Sequence, residues 1–444
     1  MGKLIVLFLF SPTLLLAQKN YPVLLDSYMQ TQASVNEFTG TVLVAQRGKI
    51  IYEKAFGWAD REWNVPNTLQ TKFQIGSITK QFTAACILQL VEAGKLNLDD
   101  RLSKFFPGFN KGDSVTLHML LNHTSGISFK EIPGLGRLST VPLEKDTILA
   151  WLNKQVYSFS PGTNFMYSNA GYFLLGYIIE KVTGKASGDY LRINIMQKIG
   201  LKNTFANRWD TIVSYRAKGY SKTGGKWKNA KYIAMEGVNY SAGDMISTIE
   251  DLYYWNDALF SNTILSPAML NKMTTNYKSN YGYGLGIDTF QHHHRVGHIG
   301  VFNGFASCLN YYPADSITAI VLSNERNTNT WRILDALTAI LFDHPVSNIY
   351  KHTEVVIDTK LFKRYTGLYL QNGSPFADTI LVSKDRLYWH SYWYGRLELK
   401  PESDTSFFIE EEPDIQLKFK VDKKGRVIKA FFIEAGVEYE MKIK

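Results

Sequence analysis

Phe73-Gln74-Ile75-Gly76-Ser77-Ile78-Thr79-Lys80-Gln81-Phe82-Thr83-Ala84-Ala85-Cys86-Ile87-Leu88-Gln89-Leu90-Val91-Glu92-Ala93-Gly94 reads as a nucleophile opening a buried helix. Gly76 gives a flexible entry and Ser77 stands at the helix start. Ile78, Phe82, Ala84, Ala85, Cys86, Ile87, Leu88, Leu90 and Val91 leave hardly any polar face, the pattern of a helix packed on all sides in a core. Gly94 followed by Lys95 supplies the stop. On such a helix Ser77 and Lys80, three residues apart, share a face, so the amine reaches the hydroxyl within one turn.

A serine hydroxyl is a poor nucleophile until a neighbour takes its proton, and a lysine does so only where burial or nearby positive charge lowers its pKa. This helix offers that burial, and the N–H groups at its start favour negative charge developing on a substrate. Ser-x-x-Lys spacings also arise by chance in surface caps, about once or twice in a chain of this length, so the rest of the sequence has to carry the argument.

The 444 residues exceed one ordinary domain and predict two. A hydrophobic content of 45% with no low-complexity tract is that of a folded chain with a large core. The formal charge of +9, or +8 without Lys3, is scattered rather than clustered, which argues against nucleic acid as a partner. Met1 to Ala17, with Lys3 ahead of the apolar run Leu4 to Leu16, reads as a signal peptide; Ser11 and Pro12 interrupt the run, which is short for a membrane span. Export to the periplasm or medium is therefore expected, without stable membrane insertion once the leader is cleaved. No cysteine near Ala17 is available for a lipid anchor. Cys86 and Cys308 lie in apolar stretches and read as buried thiols rather than a disulfide framework.

Thr41–Ala45 and Lys49–Ala55 read as strands of a hairpin turning at Arg47-Gly48. Leu117 to Gly126 ends a short helix in a polar turn; Ser125 there has no lysine three residues on and reads as structural. Tyr167-Ser168-Asn169 stands at a loop-to-helix junction before the apolar helix Gly171–Thr183. A second such triplet, Tyr254-Trp255-Asn256, falls inside the amphipathic run Ile249–Leu259 and reads as helix packing. Tyr281 to Ile287 is expected to begin a run of strands that continues through His298-Ile299-Gly300, Phe305–Tyr312 and Ser316–Ser323. Glycines at 297 and 300 suggest a strand that approaches something closely. His292, His293, His294 and His298 lack a carboxylate or cysteine cluster at ligand spacing, so no metal is expected.

Taken together, Gly76-Ser77-Ile78-Thr79-Lys80, Leu120-Leu121-Asn122-His123-Thr124-Ser125-Gly126, Tyr167-Ser168-Asn169-Ala170-Gly171-Tyr172, Ser241-Ala242-Gly243 and Gly297-His298-Ile299-Gly300 resemble the serine β-lactamase and penicillin-binding protein superfamily, in its class C-like branch. The resemblance spans about Thr41 to Leu341. It implies an α+β fold, an antiparallel sheet flanked by helices with a helical subdomain. Ser77 would be acylated, Lys80 and Tyr167 would share the general-base work with the phenol's pKa lowered by the ammonium, and Asn169 would hold Lys80 or the substrate amide. Backbone N–H groups of Ser77 and Val301 would meet the oxyanion beside Gly300, and no cofactor would be needed. Where relatives that bind carboxylate-bearing substrates carry lysine, this chain has His298, mostly neutral near pH 7. The His-x-Gly relatives point to D-amino-acid peptidases, amidases and esterases, with β-lactamase or D-alanyl-D-alanine carboxypeptidase as the alternative. Asp244 stands where many relatives have a second glycine.

Residues 18–343 are expected to form the hydrolase-like domain and 344–360 a linker. From 361 to 444 the pattern alternates at period two, as in Leu417–Val421 and Val437–Ile443 with a turn at Asp422-Lys423-Lys424-Gly425. This predicts a small antiparallel β domain, and Tyr365-Thr366-Gly367-Leu368-Tyr369 resembles the lipocalin-like barrel of some class C-like hydrolases. Tyr388, Trp389, Trp393 and Tyr394 either fill it or line a ligand surface, with filling favoured. A different function also fits the sequence, a non-catalytic binder of cell-wall fragments. The presence of all the reactive groups argues against it and for an enzyme with a small-molecule or peptide substrate.

Overall fold

The computed structural model describes residues 19–128, 143–208, 210–223, 226–231, 239–371, 377–391, 395–412 and 414–444. The expected leader, Met1 to Ala17, lies outside them. Its centre is a six-stranded antiparallel sheet built from β1 (Gly40–Gln46), β2 (Lys49–Phe56), β3 (Gly286–Phe290), β4 (His293–Phe302), β5 (Phe305–Tyr312) and β6 (Ile317–Ser323). The spatial order is β3-β4-β5-β6-β1-β2, so the first strands of the chain pair with the last of the sheet, Val42 opposite Val321. Arg47 and Gly48 both have positive φ, the two-residue turn that matches strand twist.

Alternation along β1 explains why its apolar run is unbroken. Leu43 and Ala45 face one core, Val42 and Val44 the other, because helices cover both sides. The second core holds α1 (Tyr21–Val35) and, far along the chain, α6 (Thr330–Leu341). The first holds α2 (Thr79–Glu92), buried along almost its whole length, with α3 (Leu117–Leu121), α4 (Asn169–Thr183) and α5 (Ile249–Phe260). Phe82 of α2 stacks on Trp255 of α5 at 3.7 Å, and the Trp255 indole donates to Gln81 at 3.0 Å. Trp255 and Asn256 are thus packing residues while Tyr254 points outward.

The expectation for Tyr281 to Leu285 needs correction. These residues form a turn ahead of β3, in which Gly282 N–H donates to the Leu285 carbonyl. Gly284 sits at φ +70°, where a Cβ would stand 2.5 Å from the Lys80 carbonyl oxygen, so this segment is bent by its approach to α2 rather than extended.

Eight strands between Gly367 and Ile443 close into a barrel. Its interior is filled by Trp389, Tyr365, Tyr369, Phe407, Phe419 and Phe432, while Tyr388 is only half-buried and has Arg396 over its ring. Trp393 and Tyr394 lie outside the described residues. The barrel docks on the α1 and α6 side of the sheet. Tyr28 donates to the Ala435 carbonyl, Asn36 to Asp414, and Arg332 of α6 pairs with Glu434 at 2.6 Å. Val437 of the barrel joins the core beneath α1 and α6.

Candidate active site

Ser77 lies in a short 3-10 turn, Gly76–Ile78, that runs into α2. Gly76 takes φ +51°, and the turn is pinned by Ile75 N–H to the Met245 carbonyl and by Met245 N–H to the Thr79 hydroxyl. Gly76 and Ile78 are buried while Ser77 is half-buried, which presents one polar group to a cleft from an apolar base.

Lys80 is fully buried. Its Nζ lies 3.0 Å from Ser77 Oγ, 2.8 Å from Asn169 Oδ1 and 2.7 Å from the Ala242 carbonyl oxygen. Burial drives its pKa well below 10.5, partly opposed by the charge of Asp244. Two of its partners are carbonyl oxygens, which can only accept; the Ser77 hydroxyl can accept from the amine's proton or donate to its lone pair.

Tyr167 ends the loop before α4, and Asn169 is the first residue of that helix. The Tyr167 hydroxyl contacts Ser77, and its ring centroid is 4.9 Å from Lys80 Nζ. Two-fifths of this side chain is open to solvent. Its phenol is nevertheless raised, not lowered as the sequence suggests: burial of the hydroxyl end dominates and the contact with Ser77 opposes it. Tyr167 is accordingly present as a neutral phenol beside the buried Lys80 amine.

The third segment is an open strand edge. β3 pairs with β4 only as far as Gly297, so His298 to Phe302 run unpaired on that side past the nucleophile turn. A Cβ at Gly300 would stand 2.0 Å from the Ile75 carbonyl oxygen and 2.3 Å from Ser307 Oγ, and one at Gly76 would stand 2.9 Å from Val301 N. The two glycines let the strand and the turn touch, which brings the Val301 amide beside Ser77. His298 is tied on both nitrogens. Nδ1 donates to the Ile299 carbonyl at 2.6 Å, which leaves Nε2 to accept from the Tyr281 hydroxyl at 2.8 Å. Burial and the nearby Lys80 lower its pKa to about 3, so the ring is uncharged.

The beta-lactamase family model matches residues 28–341. This chain belongs to the beta-lactamase family. Among similar proteins of the family, a penicillin-binding protein of Bacillus subtilis (strain 168) is 29% identical over 413 residues, 87% of this chain and 91% of its own. Among solved structures, the octameric penicillin-binding protein homologue from Pyrococcus abyssi is 26% identical with a TM-score of 0.66, covering 95% of this chain and 99% of its own. The D-amino acid amidase from Ochrobactrum anthropi SV3, complexed with L-phenylalanine, is 25% identical with a TM-score of 0.63, covering 73% and 99%. The chain has the fold of the beta-lactamase-type serine hydrolases.

Ser77, Lys80, Tyr167, Asn169, His298, Gly300 and Val301 therefore gather at one place. Sequence reasoning missed three contributors. The Ala242 carbonyl works through the backbone and leaves no mark in residue type, although Ser241-Ala242-Gly243 is part of the resemblance. The pattern around Tyr281 reads as strand, and the turn that aims it at His298 depends on contact with α2. His123 appeared only as part of a polar turn. Of the other histidines, His293 faces Asp315 at 2.8 Å, and among the described residues no group of three metal-capable side chains converges.

Proposed function

We propose that this protein is an exported serine hydrolase that acts through an acyl-enzyme on neutral esters or amides, with D-amino-acid peptides and amides as the substrate class. The observation that carries the reading is the buried Lys80 Nζ, 3.0 Å from the Ser77 hydroxyl and held there by the Asn169 Oδ1 and Ala242 carbonyl oxygens. In the proposed step the amine takes the Ser77 proton as Oγ bonds to the substrate carbonyl carbon. The resulting oxyanion accepts from the backbone N–H groups of Ser77 and Val301. The proton then passes by way of Tyr167 to the departing nitrogen or oxygen, which breaks the scissile bond and leaves the acyl group on Ser77. Water repeats the sequence in reverse roles to release the acid.

The uncharged, doubly hydrogen-bonded His298 supports a substrate without a free carboxylate beside the scissile bond, as in an amide or an ester. The names of several relatives favour a second reading, penicillin binding with carboxypeptidase or β-lactamase turnover, in which a carboxylate must be held. Export, to the periplasm or the medium, rests on the leader-like first 17 residues.

The test uses the full chain with a labelled fluorophosphonate and a panel of p-nitrophenyl esters, D-amino-acid anilides and a chromogenic cephalosporin. A covalent adduct on the Ser77 peptide, with ester or anilide turnover lost in Ser77→Ala, is the expected result. Turnover that survives Ser77→Ala, or no adduct with the folded protein, removes the reading. Preferential cleavage of the cephalosporin selects the second one.

A further inference from the structure

His123 is buried, with 1% of its surface exposed, at the polar turn after α3, and holds φ +62°, a conformation that costs a residue with a Cβ about 1–2 kcal/mol. It grips the chain on both sides of Tyr167. Its carbonyl oxygen accepts from Met166 N–H at 3.0 Å, and its ring Nδ1 accepts from Ser168 N–H at 3.2 Å. The same ring lies 4.3 Å from the ring of Tyr167 and 4.7 Å from that of Tyr281, whose hydroxyl holds His298. One imidazole thus touches Tyr167 and the tyrosine that holds His298.

Two features say that this is more than filling. Because Nδ1 accepts, the ring proton is on Nε2, and that buried N–H has no partner among the described residues. The ring must also stay uncharged to keep its lone pair for Ser168. Burial, with Lys80 and His298 close by, drives its pKa well below 6.5.

We infer that His123 is a positioning residue for Tyr167, fixing the phenol over Ser77 by clamping the two peptide groups that flank it. The inference rests on the acyl-enzyme reading. Without the clamp, the peptide N–H groups on either side of Tyr167 lose these acceptors, the Ser168 hydroxyl keeps its bond to the Ile127 carbonyl at 2.8 Å, and the path of the proton to the leaving group loses its geometry.

The experiment measures single-turnover acylation of Ser77 by an unactivated D-amino-acid amide, whose departing nitrogen needs a proton, together with substrate Kd and thermal unfolding, for three single variants and one pair. His123→Leu keeps the branching of the ring and removes the acceptor. His123→Asn places Oδ1 where Nδ1 was and tolerates positive φ. His123→Leu is expected to slow acylation by ~10- to 100-fold with Kd unchanged, and His123→Asn to recover most of the loss. In a Tyr167→Phe background the further cost of His123→Leu should vanish. If His123→Leu does not fold, His123→Gly, which holds this φ without strain, takes its place. Equal acylation rates for the leucine and asparagine variants, or a full added cost on top of Tyr167→Phe, overturn the proposal. Wild-type acylation in Tyr167→Phe alone instead sinks the assignment of Tyr167 to the reaction, and the proposal with it.

Discussion

Tyr281 donates its hydroxyl to Nε2 of His298 at 2.8 Å while Nδ1 is held by the Ile299 carbonyl, so this ring offers a substrate neither charge nor a free nitrogen. His298→Lys places a cation at the open edge of β4. The variant is expected to raise kcat/KM for a D-peptide with a free terminal carboxylate, relative to its amide, by about tenfold, the worth of one charge-assisted hydrogen bond. An unchanged ratio would take charge at position 298 out of the account of specificity.

The pH profile follows from Lys80. In the folded chain its proton leaves well below 10.5, so the active amine accumulates as pH rises through that lowered value. We expect kcat/KM to climb along one limb and reach its plateau below pH 10.5, with no further limb from His298 above about pH 4 because that ring titrates near 3. Lys80→Met should lower kcat by ~10²- to 10⁴-fold. The unfolded chain binds a proton that folded Lys80 lacks, so this group's contribution to stability grows as pH rises toward 10.5. A limb centred near pH 10 in the wild type would place the general base elsewhere.

Gly300→Ala puts a methyl group into the Ile75 carbonyl oxygen and the Ser307 hydroxyl. Overpacking of this kind costs ~1–3 kcal/mol, and here it pushes β4 away from the nucleophile turn. Turnover is expected to fall by ~100-fold or more alongside a lowered Tm. Gly286→Ala is the control, since its nearest neighbour would be the Gly297 carbonyl oxygen at 3.5 Å, an ordinary contact. Equal effects of the two changes would show that the close approach does not matter.

Arg332 on α6, 2% exposed, is paired with Glu434 of the barrel, 7% exposed. Arg332→Ala leaves that carboxylate without its guanidinium, a loss of ~3 kcal/mol. Urea unfolding followed by barrel and hydrolase-region probes should show reduced stability, with acylation of Ser77 largely preserved below the transition. A variant as stable as the parent would mean that the barrel is held by its apolar contacts alone.

Much of this arrangement could be read from residue order. The all-round apolar character of Ile78 to Val91 marked α2, the alternation in Leu417–Val421 marked the barrel, and the separated motifs marked the site. What escaped depended on contacts between distant segments. The direction of the Tyr167 pKa turns on the burial of its own hydroxyl end, the bend at Tyr281 on the back of α2, and the role of His123 on a peptide group more than forty residues away. A sequence shows that an imidazole is present but not which amide it will face.

The pairing of β1 with β6, and the stitch from Ile75 to Ser307 and Gly300, join early chain to late chain. Such long-range contacts form late in folding, after loop-closure entropy has been overcome. On the proposed acyl-enzyme reading the oxyanion pair needs the Val301 strand beside the Ser77 turn, so a covalent tag at Ser77 would act as a maturation gauge, counting polypeptides in which these two distant segments have met.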